Sequence, residues 1–370
     1  MEKNSRKMML KRTPFYNLHT ALGAKIVEFA GYEMPVQYSG IIEEHLTVRQ
    51  KVGVFDVTHM GEFFVRGIDA LAFLQKVTIN DVARLKPGRV QYSAMCYPDG
   101  GIIDDLLIYR MENQYMLVVN ASNLQKDFDW LQSQKFGDVE IENVSDTTSL
   151  LAVQGPKSLA TLQKLTKEDL SKVEYYSFTR NTLAGISMII SRTGYTGELG
   201  FELYFNADAE QAKKIWNAIF DAGKEFGITP IGLGARDTLR LEMGFCLYGN
   251  DIDKTTHPLE AGLGWITKLN KNDFNGRDAI VQAKQEGLKR KLIGFTLLDR
   301  TLARHGYEIM YNARVVGQVT SGTFSPSLQR GIGMGYIASE LANVGTIISI
   351  LVRGKEIPAT IVTVPFLQKH

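Results

Sequence analysis

Two adjacent carboxylates, Asp104 and Asp105, stand inside the run Gly100-Gly101-Ile102-Ile103-Asp104-Asp105-Leu106-Leu107-Ile108-Tyr109. The glycine pair predicts a turn, and the apolar residues after it predict a strand. Neighbours on a strand point to opposite faces, so one aspartate faces inward. A carboxylate on a buried face costs several kcal/mol unless a cation or hydrogen-bond donor meets it, which marks the pair as a candidate site. The alternative is a pair that caps the start of a hairpin. Glu202 alternates with Phe201 and Leu203 in a second strand-like run, and Arg236 occupies the first turn of a helix expected after Gly232. The helix dipole disfavours a cation there, so Arg236 calls for an anionic partner. Tyr92, Tyr176 and Tyr195 fall near these three in the same strand-and-turn plan. Together they would suit a flat, hydrogen-bonding heterocycle with an acidic tail.

The elements that must position these groups are legible as patterns. Val90–Tyr97 reads as a strand that turns through Pro98-Asp99-Gly100-Gly101 into the aspartate strand, followed by a strand over 115–119 that ends in Asn120. Helices are expected over 41–52, 68–77, 124–134, 157–165 and 209–225. Residues 27–38, broken by Gly31 and Pro35, read as an aromatic loop used for packing, and 54–65 as two strands around a turn. Beyond a boundary near Asp273, six short β-type runs punctuated by glycine predict a small antiparallel barrel or sandwich. No strong internal repeat is expected.

The 370 residues suffice for two or three domains. A net charge of +2 gives no reason to expect nucleic acid or an anionic membrane as partner. Cys96 and Cys246 are far apart and suggest no disulfide framework; with no apolar stretch long enough to span a bilayer and no secretory signal in Met1–Arg12, a cytoplasmic location is expected. The six histidines lack metal-ligand spacing, and no metal is expected. Asp56 and His59 could perform acid–base chemistry, but without a nucleophile beside them a structural hydrogen bond is the expected role; His45 is expected on a helix surface. Gly232-Leu233-Gly234 is a glycine-preceded helix start, with Asp237 placed where it would repel phosphate.

Several stretches are long and specific: Arg12-Thr13-Pro14, Phe29-Ala30-Gly31-Tyr32-Glu33-Met34-Pro35, Phe55-Asp56-Val57-Thr58-His59-Met60-Gly61, Gly101-Ile102-Ile103-Asp104-Asp105-Leu106, Ser191-Arg192-Thr193-Gly194-Tyr195-Thr196-Gly197-Glu198, Gly232-Leu233-Gly234-Ala235-Arg236-Asp237 and Thr320-Ser321-Gly322-Thr323-Phe324-Ser325-Pro326. In this order, over nearly the whole chain, they resemble the T-protein (aminomethyltransferase) family of the glycine cleavage system.

The resemblance implies an α+β fold: a three-domain, cloverleaf-like arrangement around a central folate cavity, with a C-terminal small antiparallel β-barrel. The expected division is 1–52 with 148–272, then 53–147, then 273–370. It implies transfer of a one-carbon unit from the aminomethylated lipoyl arm of H-protein to tetrahydrofolate, with release of ammonia. Asp105 would be the catalytic carboxylate. Glu202 and Arg236 would bind folate, and Tyr92, Val118, Tyr176 and Tyr195 would line its site. Tyr32 stands where many members carry tryptophan. Lys369 is the residue available where some members continue with an arginine or tyrosine toward the folate tail. A non-enzymatic folate-binding protein of the iron–sulfur assembly type is the alternative. Its K-G-C-Y-x-G-Q run is missing from Met243-Gly244-Phe245-Cys246-Leu247-Tyr248-Gly249-Asn250. Folate domains of dimethylglycine or sarcosine dehydrogenases are a further rival, but they accompany a flavin domain whose G-x-G-x-x-G motif this sequence lacks.

Overall fold

A computed structural model describes residues 10–298 and 300–368. Residues 1–9 and Lys369 lie outside the described residues. The chain begins with α1 (Tyr16–Ala21), β1 (Lys25–Phe29), β2 (Tyr32–Gln37) and α2 (Ile41–Gln50). Next come β3 (Gly53–Asp56), β4 (Gly61–Arg66), α3 (Ala70–Val77), β5 (Val90–Cys96), β6 (Ile102–Arg110), β7 (Tyr115–Val119), α4 (Leu124–Ser133) and β8 (Glu140–Asn143). They are followed by β9 (Ser149–Gln154), α5 (Ser158–Gln163), β10 (Phe178–Leu183), β11 (Ile186–Ser191), β12 (Gly200–Phe205), α6 (Ala209–Gly223), β13 (Thr229–Pro230) and α7 (Leu233–Glu242). The last part is α8 (Arg277–Glu286), β14 (Arg290–Leu297), β15 (Glu308–Tyr311), β16 (Arg314–Ser325), β17 (Arg330–Ala338), β18 (Ile347–Val352) and β19 (Lys355–Val362).

Three β assemblies result. One sheet runs β5-β6-β7-β4-β8, a second β10-β11-β12-β9-β3-β13, and β14-β17-β16-β15-β18-β19 close into a barrel. Closure removes the exposed edges that a small open sheet would carry. The two open sheets face each other across Phe55, Met116, Val118, Leu150, Ala152 and Tyr204, while their outer faces bury separate cores under the helices.

Four expectations require correction. Residues 27–38 are the antiparallel pair β1–β2 rather than a loop; as a two-stranded ribbon its edges tolerate Pro35. The strands in 54–65 do not form a hairpin: β3 pairs with β9 and β13, β4 with β7 and β8, so 57–60 crosses between sheets. In its sheet, β3 thus lies among strands of 148–272. His45 is fully buried, because α2 packs against α7 and puts its Nδ1 2.8 Å from Thr238 Oγ1 and its Nε2 3.1 Å from Ser327 Oγ.

Finally, the two open sheets repeat one plan of strand, helix, short turn, three strands and helix. Leu74-Gln75-Lys76-Val77-Thr78 and Asp81-Val82 correspond to Leu162-Gln163-Lys164-Leu165-Thr166 and Asp169-Leu170. Gln75 Oε1 accepts from Val82 N, and Gln163 Oε1 from Leu170 N, each at 2.9 Å. Asp81 and Asp169 cap the same turn. The repeat escapes a reading by composition because few side chains outside these turns are shared.

Candidate active site

The hairpin β5–β6 presents the aspartate pair. Gly100 takes φ +89°, and a Cβ on Gly101 would lie 2.0 Å from the Lys254 carbonyl oxygen, so this tight turn excludes side chains at both positions. Register then decides which carboxylate enters the space between the sheets. Tyr92 pairs with Leu107, Leu107 with Val118, and Val118 with Glu62, forming one cross-strand row on the inner face. Asp105 lies two residues before Leu107 and so shares that face, whereas Asp104 takes the other. On the opposing sheet, Ser191, Glu202, Ala152 and Phe55 form the matching row.

Between these rows is a cavity of about 790 Å³, closed by segments 243–247 and 261–265 and by strands of the barrel. All seven residues singled out from the sequence line it: Asp105, Glu202, Arg236, Tyr92, Val118, Tyr176 and Tyr195. Val364 and Pro365 bring the C-terminal end of the described chain to its wall.

Asp105 Oδ2 accepts from Tyr92 OH at 2.9 Å and Oδ1 from Asn120 Nδ2 at 2.8 Å. Burial, followed by the charge of Asp104, pushes its pKa up to about 7 against the opposing effect of these bonds. Glu202 Oε2 accepts from Thr193 and, at 3.3 Å, from Tyr204. Burial raises its pKa, while Thr193 and Arg236 oppose the rise. Arg236 sits 4.5 Å over the Tyr195 ring and makes no ion pair among the described residues. Tyr195 stacks on Phe245 at 5.7 Å and donates its hydroxyl to the Cys246 carbonyl. Tyr176 adopts φ +58°, a conformation of about 1–3 kcal/mol strain for a bulky residue. Its backbone is held there by bonds to Arg192 O and from Val90 N.

Asp56 and His59 do not meet as a pair. The Asp56 carboxylate is bound by Thr13 Oγ1 at 2.6 Å, His19 Nε2 at 2.9 Å and Thr58 N at 3.0 Å, a buried structural network. His59 packs edge-on to Phe29, and burial lowers its pKa to about 3. Sequence reasoning missed three residues. Asn120 was legible only as the end of an apolar strand. Trp265, stacked over Tyr92 at the cavity rim, lies in a short turn with no motif. Glu62 completes the Tyr92 row, fully buried and without a hydrogen-bond partner among the described residues; burial and Glu202 push its pKa well up.

Residues 15–271 match the GCVT N-terminal domain, and 290–368 the glycine cleavage T-protein C-terminal barrel domain. The chain belongs to the glycine cleavage T-protein family. Similar T-proteins include an aminomethyltransferase of Bacteroides thetaiotaomicron, 57% identical over 361 residues covering 96% of this chain and 99% of the relative. Another, from Halothermothrix orenii, is 52% identical over 97% of this chain and all of its own length. The crystal structure of glycine cleavage system aminomethyltransferase T from Bartonella henselae superposes with a TM-score of 0.90 at 35% identity, covering 97% of this chain and 98% of that one. The T-protein architecture, an α+β pair of sheets with a closed C-terminal barrel, is therefore that of this chain.

Proposed function

We propose that the chain is the aminomethyltransferase of the glycine cleavage system. It transfers the methylene carbon of an aminomethyl group to tetrahydrofolate and releases ammonia. The observation that carries the site assignment is Asp105, a carboxyl poised near neutrality and aimed into a cavity between two sheets.

The cavity residues fit a reduced folate as co-substrate. Glu202 offers a carboxylate to paired N–H donors of a pterin, a geometry that favours strong, charge-assisted bonds. Arg236, lacking an ion pair within the described chain, is available for an anionic group. Tyr92, Tyr176, Tyr195 and Val118 supply apolar and aromatic walls.

The lipoyl arm of H-protein is the proposed donor, and the cytoplasm the proposed location. Among the described residues, no helix is long and apolar enough to cross a membrane. Loss of the amine builds cationic character at the transferring carbon, which the ionised Asp105 stabilises from a fixed position without reorganisation. The same carboxyl is within the range where it accepts the proton that leaves the folate amine as a new carbon–nitrogen bond forms; the carbon–sulfur bond breaks as well, and its sulfur leaves as the lipoyl thiol.

Ammonia release from an aminomethyl-loaded lipoyl carrier, measured with and without tetrahydrofolate, tests this reading. Acceleration by folate is the expected result. Folate binding without release would identify a non-catalytic binding protein instead. The absence of K-G-C-Y-x-G-Q at 243–250 argues against that alternative.

A further inference from the structure

Asp105 is tied to a second buried carboxyl behind the cavity wall. Asn120, just beyond β7, donates from Nδ2 to Asp105 Oδ1 at 2.8 Å and to Asp104 Oδ1 at 2.9 Å, and from its backbone N–H to Asp104 Oδ2 at 3.0 Å. Asn123 Nδ2 donates to Asp104 Oδ1 at 2.6 Å. Asp104 is fully buried and does not line the cavity. On its side of β6 the helix α4 brings Asp127, fully buried, to face the Asp104 carboxyl. Lys126 does not neutralise it closely: its Nζ is 3.9 Å from Asp127 Oδ1 and donates instead to Ile103 O at 2.6 Å and Tyr248 OH at 3.1 Å.

We propose that Asp104 and Asn120 are positioning residues for the chemistry at Asp105. Asn120 locks the Asp105 carboxyl toward the cavity, and Asp104 supplies the fixed negative charge that sets its protonation. Asp127 is the neutral neighbour of Asp104. This rests on the transfer function proposed above.

Three considerations support it. Two buried carboxyls in contact share one charge, because both cannot ionise without a cation between them. Burial raises both Asp104 and Asp127, Asp127 up to about 11; the three N–H bonds from Asn120 and Asn123 oppose the rise at Asp104 and favour the charge there. Tyr92 of β5, Tyr176, Tyr195 and Cys246 also face Asp105, and burial raises every one of them, so none of these charges in the neutral range; Glu202 of β12 and the Arg236 guanidinium of α7 line the same cavity and are unchanged in all the variants below. Burial is the larger cause of Asp105's raised pKa, and Asp104 is the anion that adds to it.

The test is the pH profile of folate-dependent ammonia release. In Asp104→Asn the acid limb moves down by about one pH unit. In Asp127→Asn, where a neutral amide replaces a neutral acid, it stays within a few tenths of a unit. Removing the bridge in Asn120→Ala moves it up, because the ionised form of Asp105 loses a donor. A limb in Asp104→Asn that superimposes on the wild type's overturns the proposal.

Carboxyl-carbon NMR gives a readout independent of activity. One carboxyl titrates near pH 7 and disappears in Asp105→Asn. Its absence from the wild type also overturns the proposal. A wild type whose ammonia release ignores folate refutes the transfer function, while the same NMR titration in Asp104→Asn, where that carboxyl is expected to titrate about one unit lower, still decides the coupling.

Discussion

A carboxyl held near pKa 7 weakens the fold that carries it. The folded-state value of Asp105 lies above the usual aspartate value of 3.8. Between about pH 4 and 7 the folded chain therefore keeps a proton that the unfolded chain has lost, and this contribution to stability falls as pH rises through that window. Asp105→Asn keeps the shape and removes the charge. Its expected outcome is a loss of ammonia release of about a hundredfold or more, together with a melting temperature at pH 8 above the wild type's by the equivalent of about 2 kcal/mol. Activity within a few-fold of wild type would refute the role. Glu202 acts on binding instead. Glu202→Gln keeps one acceptor and loses the charge, so the dissociation constant for tetrahydrofolate, followed by calorimetry, rises about tenfold or more.

Elements place these residues by register more than by sequence proximity. The hairpin β5–β6 depends on Gly101, whose missing side chain lets the chain pass under the Lys254 carbonyl. Gly101→Ala forces those backbones apart. The expected loss is about 2 kcal/mol of stability or more in thermal unfolding, with a lower turnover number because Asp105 moves with its strand. Arg236, by contrast, was readable as a residue out of place in its helix, and the fold explains it: the first turn of α7 opens on the cavity, where the guanidinium covers Tyr195.

At the scale of the whole molecule, a buried polar network holds the lobes around the cavity. Arg49 of α2 donates to Glu242 Oε2 of α7 at 2.8 Å and to Glu198 Oε1 at 2.9 Å. Ser325 and Ser327 of the barrel also donate to Glu242. Burial alone would raise the pKa of Glu242, but His45, Ser325 and Arg49 outweigh it and lower the value to about 2. Its stabilising contribution is therefore present above about pH 4.5 and lost as pH falls toward 2. Glu242→Gln removes the carboxylate that Arg49 meets on α7 and leaves Arg49 with Glu198 alone. It should be less stable than the wild type by about 3 kcal/mol at pH 7, and the gap should narrow in acid-unfolding curves below pH 4.5. A constant gap across that range would exclude the ionised Glu242 as the link.

The sequence by itself determined most local elements outside 27–38, the six barrel strands and, through polar residues set in apolar runs, the candidates Asp105, Glu202, Arg236 and three tyrosines. Such conflicts are visible without a fold because a strand's two faces alternate along the chain. The family resemblance, carried by long motifs, added Val118 and the reaction. Tertiary structure alone decided what depends on contacts far apart in sequence. It set the register that turns Asp105 rather than Asp104 into the cavity, joined both through Asn120, and completed a row with Glu62. It sent β3 and β4 to different sheets and buried His45 between α2 and α7. The repeated sheet plan belongs here too: the order of its elements and the Gln and Asp bonds of its turns are duplicated.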